Sequence, residues 1–208
     1  MRITSYSLGP LETNCHVLDH EGLALAVDPG GDPAEVLEFL RAEKLVLKHI
    51  IITHLHFDHI YGCARLAQAT GAPVLAPAAD AFLMDTELGK GGVYGFPVVA
   101  PFESSPAPLG QAEFLGLECR CLSTPGHTPG SITYYFPQAG AAFAGDLIFY
   151  RSVGRTDFPG GSSAQLKESV QKHIFTLPGD TALYSGHGLE TTVADERTHN
   201  PFFLHDMF

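Results

Sequence analysis

Ile50-Ile51-Ile52-Thr53-His54-Leu55-His56-Phe57-Asp58-His59 is an apolar, β-branched run that empties into four metal-ligand side chains within six positions. Ile50 to Thr53 has the composition of a fully buried strand, so the polar cluster begins where the backbone leaves a sheet. From Ile60 through Ala69 the residues suit a helix, with Gly71 and Pro73 as its stop signals. The cluster is therefore expected on a strand-to-helix turn. Such a bend aims His54 and His56 at one point and Asp58 and His59 at another, with Asp58 also placed to cap the new helix. Imidazole and carboxylate together suit zinc, iron or manganese.

Upstream, residues 2–8, 14–19 and 23–28 read as short strands, the last ending in the turn Val27-Asp28-Pro29-Gly30-Gly31. Asp28 is either a turn residue or a carboxylate that orients a ligating imidazole. Asp32-Pro33 opens a helix, with Val36, Leu37, Leu40 and Leu45 at near-helical spacing. Downstream, a strand is expected near Val74–Ala76 and a helix around Ala79–Leu88. A long loop from Gly89 to residue 108 follows, in which Tyr94 and Phe96 either line a mouth over the metals or merely anchor the chain.

Strands are expected near 113–122, 131–136 and 141–145. His127 falls in the Pro- and Gly-rich turn Thr124–Ser131, and Asp146 at the carboxyl end of a buried strand. A helix at 163–176 and a strand at Ala182–Ser185 lead to His187, flanked by glycines that allow close backbone approach. Asp195-Glu196-Arg197 is read as part of a final polar helix. No repeat or linker interrupts the chain, so residues 1–208 are expected to form a single domain.

The 45% hydrophobic and 17% charged content is that of a globular protein. A net charge of -11 argues against a nucleic-acid partner. With no apolar run of membrane-spanning length and no apolar signal-peptide core near Met1, the expectation is a soluble, cytoplasmic protein without a membrane partner. Cys15, Cys63, Cys119 and Cys121 are read as buried, reduced thiols, the last two sharing one face of a strand.

Five histidines (54, 56, 59, 127 and 187) and two aspartates (58 and 146) thus lie at expected strand ends or turns, where sites of layered α/β sheets gather. Seven ligands are too many for one tetrahedral ion. They divide into His54, His56 and His127 on one metal and Asp58, His59 and His187 on another, with Asp146 bridging. Divalent cations bring the pKa of bound water toward neutrality, so the constellation points to metal-assisted hydrolysis, with Asp58 and Asp146 as the catalytic carboxylates. The other six histidines, His16, His49 and His173 among them, are read as ordinary packed or surface residues.

The motifs Thr53-His54-x-His56-x-Asp58-His59, Pro125-Gly126-His127-Thr128-Pro129-Gly130-Ser131, Gly145-Asp146 and Gly186-His187-Gly188 resemble those of the metallo-β-lactamase superfamily, and within it of glyoxalase II, over residues 3–190. The resemblance implies the metallo-β-lactamase fold, a four-layered αβ/βα sandwich of two packed sheets with helices outside. It also implies a two-metal centre, zinc or a mixture of zinc, iron and manganese, that hydrolyses a small-molecule thioester such as S-lactoylglutathione. Glyoxalase II carries a C-terminal helical domain that binds glutathione, whereas 21 residues follow His187 here. After the bridging aspartate the family has a basic residue and a tyrosine; Arg155 matches the first, but Asp157 stands for the second. Arg155 is accordingly expected to bind a substrate carboxylate, or else to form an ion pair with Asp157 or Glu168. Persulfide dioxygenases also resemble the chain, through Gly154-Arg155-Thr156-Asp157-Phe158, and imply a rival reading: one iron on His54, His127 and Asp146. The oligomeric state is left open.

Overall fold

In the computed structural model, which describes residues 1–205 and 207–208, the chain forms two units: Met1–Ala107 with Glu113–Gly116, and Pro108–Ala112 with Leu117–Phe208. The first unit carries strands β1 (Arg2–Leu8), β2 (Thr13–His20), β3 (Leu23–Val27), β4 (Val46–Ile51), β5 (Val74–Ala76) and β6 (Ser105–Pro106), hydrogen-bonded in that order. The short turns after β1 and β2 allow antiparallel pairing. Beyond β3 the strands run parallel, and each needs a longer crossover. The first crossover holds α1 (Ala34–Ala42), which buries Val36 and Leu40 and whose Ala34 N–H donates to Asp32 Oδ1 at 3.0 Å. The core gathers Ile50, Ile52, Ile60, Cys63 and Leu66 around these two side chains.

The helix expected over 60–69 is instead two helices, α2 (Phe57–Ile60) and α3 (Cys63–Thr70). Gly62 is the cause of the break. Its N–H donates to Pro29 O at 2.7 Å, and a Cβ there would stand 2.3 Å from Gly31 O, so the backbone is drawn onto the β3–α1 loop. Asp58 does not cap this helix. It lies within the first turn of α2, whose N-cap is His56, and its side chain is turned toward Thr13. The helix expected around Ala79–Leu88 is a 3₁₀ helix, Ala78–Asp85, followed by α4 (Glu87–Lys90). Thr86 separates the two in extended conformation, with its hydroxyl donating to Leu83 O at 2.7 Å. The loop after Gly89 also contributes β6, too short for any periodicity to mark it.

The second six-stranded sheet has the order β14 (Thr191–Thr192), β13 (Ala182–Ser185), β10 (Ala141–Gly145), β9 (Ile132–Phe136), β8 (Leu117–Ser123), β7 (Gly110–Phe114). The single strand expected at 113–122 is thus two strands, joined by Leu115 and Gly116, both with positive φ. In this sheet β10 pairs parallel with β13, while β8 with β9, β9 with β10 and β13 with β14 pair antiparallel. A small hairpin, β11 (Ile148–Phe149) with β12 (Ser152–Val153), stands apart from it. Leu166 of α5 (Ser163–Ser169) and Val170 and Ile174 of the following π-helical turn pack on Tyr135, Ala142 and Leu183. The expected polar helix is α6 (Val193–His199). It is followed by α7 (Pro201–Leu204), which opens with Pro201 and is capped by Asn200. All four cysteines are free and buried, with the Cys119 and Cys121 sulfurs 3.9 Å apart. Among the described residues no helix is long and apolar enough to cross a membrane.

Candidate metal centre

In the first unit the donors sit where β4 ends beside β3. Parallel pairing sets Val27 opposite Ile51, which brings Asp28 level with Ile52 and Thr53. Asp28 adopts the left-handed conformation (φ 50°), one that aspartate tolerates better than most residues. Its buried carboxylate then gathers three donors: the Thr53 N–H on Oδ1 at 2.8 Å, and the Thr53 hydroxyl and His59 Nδ1 on Oδ2 at 2.6 and 2.9 Å. An ionised carboxylate only accepts, so His59 carries its proton on Nδ1 and its Nε2 presents a lone pair. The Thr53 hydroxyl, having given its proton to Asp28, accepts from His54 Nδ1 at 3.1 Å, which makes His54 Nε2 the unprotonated nitrogen in the same way. One carboxylate thereby sets two imidazoles.

The ligand atoms of Asp28, His54 and His59 lie within 4.8 Å of one another. Asp28 also holds these imidazoles in place, with one hydrogen bond accepted on Oδ1 and two on Oδ2. The His54 ring stands 4.7 Å from that of His56 and 4.0 Å from that of His59. All four motif residues are buried, which excludes a solvated loop. Asp58 Oδ2 accepts the Thr13 hydroxyl at 3.2 Å and lies 3.6 Å from His59 Nε2.

In the second unit His127 rides the turn between β8 and β9. The turn is closed by the Thr124 N–H donating to Ser131 O and is pinned from outside by Ser169 Oγ donating to Pro125 O. Gly126 is required there: φ is 145°, and a Cβ would lie 2.3 Å from the backbone of Leu166. Parallel pairing of β10 with β13 sets Gly145 opposite Ser185, so Asp146 and His187 leave the sheet side by side. His127 Nδ1 donates to the Arg155 carbonyl at 2.7 Å, and Gly154 makes room for this crossing because a Cβ there would fall 1.7 Å from Asp146 O. Asp146 Oδ2 then stands 3.6 Å from His127 Nε2 and 3.7 Å from His187 Nε2.

These separations test whether a metal fits. His59 and His127 each turn a ring nitrogen whose proton sits on the other side toward a carboxylate oxygen, at 3.6 Å. Two acceptors repel at that range unless a cation or proton stands between them. Ligands about 2.0–2.1 Å from a tetrahedral zinc are about 3.3 Å apart, so the donor set suits a small divalent ion.

Arg155 forks onto Asp157 at 2.8 and 2.7 Å and stacks on Phe158, 3.8 Å from the ring centre, and it draws the Asp157 carboxyl down to about 2. Glu168 pairs with Lys172 instead. Phe96 packs on Phe57 of α2, but Tyr94 is 95% exposed. Of the histidines set aside, His16 bonds Ser5 Oγ at 2.7 Å, and His49 meets Phe114 edge-on, its pKa lowered by burial. Thr13 and the Arg155 carbonyl are functional groups that the sequence does not reveal. Nothing local marks a threonine 45 residues before its aspartate, or a backbone oxygen.

Residues 8–187 match the metallo-beta-lactamase superfamily. Hydroxyacylglutathione hydrolase GloC of Haemophilus influenzae is 31% identical, the alignment covering 97% of this chain and 98% of that one. Among solved structures, the BLEG-1 B3 metallo-beta-lactamase matches with a TM-score of 0.91 at 32% identity, over 97% of this chain and 99% of its own. TTHA1623, solved in a di-iron-bound form, matches with a TM-score of 0.86 at 32% identity, over 96% and 99%. The expected α/β metallo-β-lactamase fold is borne out, and the clustered histidines and aspartates are consistent with a two-metal centre. The chain belongs to the metallo-β-lactamase superfamily and carries the donor set of a metal-dependent hydrolase.

Proposed function

We propose that the protein is a thioester hydrolase of the hydroxyacylglutathione type, working with two divalent ions. In this reading His54, His56 and His127 hold one ion and Asp58, His59 and His187 the other, with Asp146 bridging. The observation that carries it is the set of imidazole nitrogens turned toward carboxylate oxygens at 3.6–3.7 Å. Likeness to a hydroxyacylglutathione hydrolase supports the substrate class. The metals are zinc, iron or manganese, and the four buried free thiols accord with a cytoplasmic setting.

When bound, such ions polarise an acyl carbonyl and make water a nucleophile near neutral pH. The chain's own residues orient and relay. Asp28 and the Arg155 carbonyl hold the imidazoles in their ligating tautomers. Asp58 and Asp146 would supply the carboxylates that take the proton the attacking water gives up. The Arg155 side chain offers a planar fork to a substrate carboxylate, exchanging it for Asp157.

Elemental analysis after reconstitution with excess zinc, manganese or iron is expected to find about two ions per chain, because seven ligands oversupply one centre. A value that stays near one ends the dinuclear assignment. Turnover should be found with S-lactoylglutathione and not with a β-lactam; the opposite pattern replaces the thioesterase reading with a lactamase one. Arg155→Ala should raise KM roughly tenfold or more with kcat kept, as loss of a charged hydrogen bond in uniform binding does. An unchanged KM removes Arg155 from the substrate site.

A further inference from the structure

Glu196 lies on α6, the expected polar helix, yet its side chain is fully buried. It takes four hydrogen bonds: the Arg151 backbone N–H at 2.9 Å, Arg151 Nη1 at 2.6 Å, the Thr191 hydroxyl at 2.7 Å and Asn200 Nδ2 at 2.9 Å. Asn200 Nδ2 donates as well to Ser152 O at 3.0 Å. Arg151 lies in the turn of the β11–β12 hairpin and Ser152 opens β12, and Arg151 is held in the left-handed region, φ 58°. A buried carboxylate with four donors is thus anchored to a turn with an unfavourable backbone. Such an anchor is costly to bury unless every partner is in place.

The hairpin borders the second unit's metal donors. On one strand Phe149 stands edge-on to the His187 ring, with centroids 6.2 Å apart. The same strand is tied to the root of the His187 loop, where Ser185 Oγ donates to Ile148 O at 2.6 Å. The other strand runs on through Gly154 to the Arg155 carbonyl that holds His127. We infer that Glu196 is a positioning residue for the metal centre: through the β11–β12 turn it fixes Phe149 against His187 and the Arg155 carbonyl against His127. The inference rests on the metal reading proposed above.

The experiment uses the full chain. In the metal-free protein, ¹H NMR of the His187 ring protons reports the ring current of Phe149 and needs no metal. In the loaded protein, chelator competition reports affinity. Glu196→Ala should abolish the His187 ring-current shift and weaken metal retention by about 10- to 100-fold, the usual cost of losing an outer-shell support. Glu196→Gln, which keeps the volume and one acceptor, should restore part of both. Phe149→Leu leaves the Glu196 network whole and should reproduce the affinity loss with little change in Tm; it also covers the case in which Glu196→Ala fails to fold. If Phe149→Leu, and Glu196→Ala where it folds, retain wild-type affinity, the inference is wrong. A ring-current shift that responds to Glu196 in a protein with no measurable metal affinity would leave the positioning contact standing and overturn the metal reading instead.

Discussion

Asp28→Ala is expected to cut metal affinity by about 10- to 100-fold and to destabilise the metal-free protein by about 3–5 kcal/mol. Both effects come from one carboxylate. Its removal leaves a buried backbone N–H and a buried hydroxyl of Thr53 and the Nδ1–H of His59 without their acceptor, each costing about 1–3 kcal/mol. The tautomer of His59 is then no longer imposed, and the Thr53 hydroxyl is released from the orientation that lets it accept from His54. Asp28→Asn separates the two effects. Asparagine tolerates the same left-handed backbone, so the turn survives, but its amide supplies one acceptor oxygen where the carboxylate supplies two. We expect it to keep most of the stability and still lose metal. Chelator competition and thermal unfolding of the metal-free proteins measure the two quantities. Affinity within twofold of wild type in Asp28→Ala would show that the imidazoles do not depend on this support.

The proposed metal ligands were legible because their chemistry is local: each stands at the end of an apolar strand or between glycines and prolines, and a run such as His54-x-His56-x-Asp58-His59 has few other uses. Asp28 was half legible. A carboxylate closing a strand suggested support for an imidazole, but which imidazole depends on the parallel register of β3 and β4, a property of the folded sheet. The fold class followed from the family resemblance that the four motifs carry, whereas the break at Gly62 did not, because it is made by a carbonyl about thirty residues upstream. Glu196 shows the limit most clearly. In Asp195-Glu196-Arg197 it reads as part of a charged surface, and only long-range packing reveals that Arg151, 45 residues away, turns it into a buried anchor. Arg155 is the reverse case, since its pairing with Asp157 two residues on was open to reading from the sequence alone.

Asp58→Ala combined with His187→Ala is expected to lower thioester hydrolysis by at least about a hundredfold, and this double variant separates the hydrolase from its nearest rival. In the two-metal reading both residues would hold the second ion, so the loss falls on the chemical step and kcat drops with kcat/KM. In the single-iron reading the working ligands are His54, His127 and Asp146, and the altered pair stand outside the coordination sphere. The double variant would then keep its activity. The supports of the remaining donors are untouched: His127 keeps the Arg155 carbonyl, and His54 keeps Thr53 and Asp28. A surviving single-ion centre therefore has every means to form. The assay follows hydrolysis of a glutathione thioester and, separately, oxygen uptake with glutathione persulfide, for wild type and variant. We expect no significant oxygen uptake from either protein. Oxygen consumption by the wild type that persists in the double variant would assign the chain to oxidation of a persulfide, with the second set of ligands retained for some purpose other than catalysis.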